Sequence, residues 1–128
     1  MPARLFERFK DLQAYVGWTE EDGARIKSAA DVVEAGMDAL INDFYAEIQR
    51  HPDAARVITG GESQITRLKG SLKNWLRESL MGRSDLDYFL RRWNIGLRHA
   101  EIGLNPAYTA AAMSRLRNGI ASLLAAAK

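Results

Sequence analysis

Of the side chains suited to holding a transition metal, this 128-residue chain has two histidines, four methionines and no cysteine. The missing thiols exclude disulfides, iron–sulfur clusters, thiolate ligation and thioether-attached haem. His99 lies in Trp93-Asn-Ile-Gly-Leu-Arg-His-Ala-Glu-Ile-Gly-Leu-Asn-Pro106. In helical register it shares a face with Tyr88, Ile95 and Ile102, because residues three, four and seven apart stack on one side. Gly103 and Asn105-Pro106 then mark a sharp corner, with the asparagine as N-cap and the proline as the first position of another helix. An imidazole held there has two readings. It is a core histidine bonded to a backbone carbonyl, or it is the axial ligand of a haem, whose iron needs one protein nitrogen and an apolar slot for the ring. In the second case the imidazole is neutral and its other nitrogen donates to an acceptor, the carbonyl of Ile95 being nearest along the helix. His51, beside Pro52 at a helix break, reads as a surface corner.

Enzymatic arrangements are missing. A helical di-metal carboxylate site needs Glu-x-x-His pairs, and neither histidine has a glutamate three residues before it. His-Glu-x-x-His and a phosphate-binding glycine loop are absent as well. The chain therefore reads as a non-enzyme, with only the side reactions of a bare haem left open. Tyr45 shares a helical face with Ile41 and Ile48, so its ring points inward and its hydroxyl needs a partner. The alternative is a hydroxyl that reaches the surface. Among the methionines, Met113 alone falls in a segment placed to line a pocket, for packing more simply than for ligation.

Ile95-Gly-Leu-Arg-His99-Ala-Glu-Ile-Gly-Leu104, followed by Pro106, resembles the proximal segment of the sensor globins, that is, the globin-coupled sensors and the related protoglobins. Phe44-Tyr45 and Ile65-Thr-Arg-Leu68-Lys-Gly-Ser-Leu72-Lys-Asn-Trp75 resemble that family's distal helices in order and spacing. The similarity runs from about Thr19 to Ser122. It implies an all-α, globin-like fold in a single domain, with an extra N-terminal helix over residues 1–17 and a globin core over 19–128. It implies haem b as cofactor, His99 as proximal ligand, and Tyr45 as distal hydrogen-bond donor to a bound diatomic gas, O2 before CO or NO. Leu68 would exclude water and Ser71 would offer a second, weaker donor.

Phe44, Ile65, Leu72, Trp93, Ile95, Ile102, Tyr108 and Met113 are the remaining candidate pocket residues. Each has a plain alternative in core packing, and Ser71 has one in a bond back to its own helix. Arg67, Lys69, Arg91, Arg92 and Arg98 are all near enough in sequence to meet the propionates, and nothing separates them. The family's domain continues into a further long helix that forms a dimer with the one before it. Here the sequence stops at Lys128, so Ile120, Leu123 and Leu124 are expected to lack that cover and a second copy to supply it. Thr109, where the family often has a second aromatic residue, puts a second tyrosine hydroxyl in doubt. The competing reading is a haem-free globin-fold module for signalling or scaffolding that dimerises through its helices.

The elements that must position these residues are all helices. Only three prolines occur and β-branched runs are absent. Leu5, Phe6, Phe9, Leu12 and Val16 predict a first helix over about 3–15, stopped by Gly17. Thr19-Glu-Glu-Asp22 predicts a capping box and a helix reaching about Arg50, with a bend near Asp31. His51-Pro52 breaks it. Thr59-Gly-Gly-Glu62 reads as a second capping box, opening a helix to about Met81 with Gly82 as its C-cap. Ser84-Asp-Leu-Asp87 opens the helix of His99, and Pro106 opens the last. Eighteen basic against sixteen acidic side chains leave +2, spread along the chain, which argues against a nucleic-acid surface. The longest weakly polar run, Gly119 to Ala127, is too short to span a bilayer. With no cysteine and no signal-peptide pattern, a reducing cytoplasm is the expected location.

Overall fold

The computed structural model describes residues 2–127, and the side chains of 4–127. Seven helices follow one another: α1 (Pro2–Tyr15), α2 (Glu20–Ser28), α3 (Ala30–Gln49), α4 (Pro52–Ala55), α5 (Gly61–Ser79), α6 (Leu86–Glu101) and α7 (Pro106–Ala126). Among the described residues there is no strand, as the sequence predicts, and no helix long and apolar enough to cross a membrane.

The core is built on α3. Val33, Met37, Ile41 and Tyr45 recur every four residues and, with Phe44, are buried. Leu76 of α5 and Leu116 of α7 close on them, with Ile65, Leu68, Leu72, Ala112 and Ile120 packed around. Val33 and Met37 are fully enclosed, and each such side chain contributes about 1.5–3 kcal/mol relative to exposure. Two glycines let α3 and α7 approach closely: a Cβ at Gly36 would strike Leu123, and one at Gly119 would strike Leu40. So Ile120 and Leu123, expected to lack cover, are half-buried against α3, while Leu124 remains 36% exposed. Ion pairs flank the core. Arg77 grips Glu34, Lys73 meets Asp38 at 2.7 Å, and Arg115 meets Asp43 at 2.8 Å.

The caps are local chemistry. Asp22 accepts from the Thr19 backbone at 2.9 Å, Asp85 from Tyr88 at 3.1 Å, and Asn105 from Ala107 at 2.9 Å. The break between α2 and α3 falls at Ala29 rather than Asp31. The expected box at Thr59 is also corrected: Gly60 is the N-cap, and its N–H donates to Gln64 Oε1 at 2.5 Å.

α6 and α1 are the loosely covered long helices: no residue of α6 and no described side chain of α1 is buried, and α1 is the element with which α6 makes most of its backbone approach. Phe6 and Phe9 of α1 meet Phe89 at 5.9 and 5.3 Å, and Phe89 stacks on Trp93 at 6.3 Å. Lys10 donates to the Ser84 carbonyl at 3.1 Å. The first half of the α1 stripe is therefore covered, but Leu12 and Val16, expected inside, are 63% and 75% exposed. Among the described residues, α1 packs chiefly on α6, and its last turn is exposed.

Candidate functional site

The distal residues come together. Phe44 and Tyr45 pack edge to face, with ring centres 5.1 Å apart, and Ile65, Leu68 and Leu72 of α5 lie against their cluster. Tyr45 is buried, and burial pushes its phenol above the ordinary value, so the O–H stays protonated and able to donate. Among the described residues its hydroxyl has no hydrogen-bond partner, and none of the enclosed polar side-chain atoms is unpaired. The oxygen therefore opens onto accessible space while the ring is held in the core. Ser71 is exposed.

The proximal residues stand apart from that core, on α6. Gly103 at φ 73° ends the helix, with the Leu104 N–H donating to the His99 carbonyl at 3.2 Å. The His99 side chain is half-buried, and its ring makes no hydrogen bond among the described residues. The bond expected to the Ile95 carbonyl is absent. Along the same helix Trp93, Ile95 and Ile102 are 43%, 37% and 55% exposed. From α7, Tyr108 is half-buried and its hydroxyl reaches Asp53 at 3.4 Å, while Met113 is 39% exposed. His51 is a surface residue beside Glu47, at 3.2 Å.

The five basic candidates now separate. Arg91 holds both oxygens of Glu78, at 2.9 and 3.0 Å. Arg92 lies between the Trp75 and Tyr88 rings, an arrangement that no spacing of basic residues signals. Arg67, Lys69 and Arg98 form no ion pair among the described residues, which leaves them open to an anionic group.

This arrangement fits a flat apolar macrocycle that brings its own metal. Among the described residues no three His, Asp or Glu side chains gather to hold an ion, so side chains alone make no metal centre. An imidazole with neither nitrogen hydrogen-bonded among the described residues stands on a helix whose Trp93, Ile95 and Ile102 are each more than a third exposed. Chemically, His99 can offer a ring nitrogen to a metal, and Tyr45 can offer a phenolic hydrogen bond.

Comparison with known proteins bears on that fit. A family model described as Protoglobin matches residues 6–128. Over 112 residues the chain is 25% identical to the heme-based aerotactic transducer HemAT of Halobacterium salinarum, an alignment covering 88% of this chain and 23% of that protein. The chain thus spans less than a quarter of that relative. The globin domain of a Geobacter sulfurreducens globin-coupled sensor superposes with a TM-score of 0.82 at 24% identity, covering 89% of this chain and 74% of the other. The fold is the globin fold.

Proposed function

The chain belongs to the Protoglobin family, and from that premise we propose that it is a haem-binding globin domain that senses a diatomic gas, O2 first. The observation that carries this reading is His99: an imidazole without a hydrogen-bond partner among the described residues, on a helix beside the partly exposed Trp93, Ile95 and Ile102. Relatives described as a heme-based aerotactic transducer and a globin-coupled sensor support sensing over storage.

Haem b, when bound, supplies an iron that takes up a diatomic gas. His99 gives the neutral nitrogen on the proximal side. Trp93, Ile95 and Ile102 exchange water for apolar contact with the ring, and Leu68 and Leu72 exclude water from the distal side. Tyr45 donates its hydroxyl hydrogen to the gas. Arg67, Lys69 and Arg98 are the cations free to meet the propionates.

Titration of the purified chain with hemin is the test. A sharp Soret band should appear at one equivalent and, after reduction, shift with O2 and with CO. His99→Ala should lose that band while keeping its helical circular dichroism. A wild-type chain that stays spectrally inert with hemin would overturn the reading.

A further inference from the structure

We propose that Arg92 is the positioning residue that sets the tilt of α6 against α5, and with it where the His99 ring stands. The proposal deepens the haem reading and rests on it only in its consequence for the ligand; the tilt itself is a property of the protein.

A half-buried guanidinium without a carboxylate is uncommon, because a charge that loses water usually keeps an opposite charge beside it. Arg92 is such a group. Its neighbour Arg91 has taken Glu78. The guanidinium carbon of Arg92 sits 3.9 Å from the Trp75 ring centre on α5 and 4.6 Å from the Tyr88 ring centre on α6. Its nitrogen donates to the Trp75 carbonyl at 2.9 Å and to Ser79 Oγ at 2.5 Å. Both acceptors lie in the last turn of α5, where the helix dipole favours a cation. Stacking on two rings while donating in the guanidinium plane suits arginine and not lysine.

Among the described residues, the polar and aromatic contacts of α6 to other helices lie in its first half. Phe89 meets the α1 aromatic residues, Arg91 holds Glu78, and Arg92 holds the end of α5. Among the described residues, no hydrogen bond or ion pair ties 94–101 to another helix. His99 is two turns beyond Arg92 on the same face, about 10 Å along the axis at 1.5 Å per residue. A tilt of about 10° at Arg92 would therefore carry the imidazole by roughly 2 Å, against a tolerance of about 0.2 Å for a metal–ligand bond.

The absence of cysteine makes the tilt directly measurable. Spin labels at Ala39→Cys on α3 and Leu97→Cys on α6, both exposed, should give one narrow distance distribution in the unloaded chain. Arg92→Ala and Arg92→Lys should each lose the narrow peak. Arg77→Ala, which removes a tether between α3 and α5 instead, should keep it. Should Arg92→Ala not fold, Arg92→Lys, with its charge and stem intact, carries the same comparison. In the hemin-loaded chain, both Arg92 variants should release hemin to excess apomyoglobin about tenfold faster, equivalent to about 1.4 kcal/mol. An unchanged distance distribution in the Arg92 variants would overturn the proposal. A parent chain that takes up no hemin would overturn the haem reading alone, with the label distances still deciding Arg92.

Discussion

Tyr45 and His99 are held in opposite ways. The tyrosine ring is locked in the core and only its oxygen is free, whereas the histidine is free on a helix that is itself loosely covered. A fixed donor discriminates among ligands by their polarity. Removing the hydroxyl from a buried ring leaves no large cavity, so Tyr45→Phe isolates the hydrogen bond. That bond is worth roughly 1–3 kcal/mol to a ligand that gains negative charge. O2 should therefore bind about tenfold to a hundredfold more weakly in Tyr45→Phe, and CO, less polar, should change little. Stopped-flow association and dissociation rates for the two gases measure the difference. Equal losses for both gases would mean that the hydroxyl supports packing rather than the ligand.

At the scale of the elements, helix starts were readable because capping is local. Thr19 with Asp22, Asp85 and Asn105 all act where their spacing places them. Thr59 misled because the two glycines after it take over: Gly61 adopts φ 68° and hands the cap to Gly60. Leu12 and Val16 misled because periodicity names an apolar face without naming what covers it. Arg92 was one of five equivalent basic residues until the fold brought Trp75 and Tyr88 to it. Of the candidate pocket residues, Phe44, Tyr45, Ile65, Leu68 and Leu72 share one core cluster because they repeat on faces of α3 and α5 that meet. The corner between α5 and α6 shows the limit most sharply. Gly82 has φ 70°, and a Cβ there would strike the Gly23 backbone of α2. Left-handed backbone alone costs a non-glycine residue about 1–2 kcal/mol, and a carbonyl cannot rotate away as a side chain can. Gly82→Ala should lower stability by about 2 kcal/mol or more, seen as a lower urea midpoint at unchanged slope.

At the scale of the whole molecule, surface pairs tune rather than build the fold. Hydrogen bonds from Arg77, Lys73 and Arg83 hold Glu34, Asp38 and Asp85 below their ordinary values, 4.5 for the glutamate and 3.8 for the aspartates. A carboxylate with a depressed folded-state pKa stabilises the fold above its ordinary value, and that contribution is lost as pH falls through the depressed one. Thermal melts should therefore be insensitive to these groups at neutral pH and fall as pH drops below about 4.5. The pairs are exposed, so high salt should flatten that slope. A melting temperature that rises on acidification would contradict the assignment. The core lies among α3, α5 and α7, while α6 meets the end of α5 through the Arg92 sandwich and the Arg91–Glu78 pair and meets α1 through aromatic rings.

That lean sets an order of events. Segments with few enclosed contacts open first, and a molecule that binds the closed form holds it shut in proportion to its concentration. On the haem reading, Leu86–Glu101 and the α1 helix packed on it should be the stretches a peptidase finds first in the unloaded chain. If the proposed haem binds, cofactor supply and protein half-life become two readings of one equilibrium.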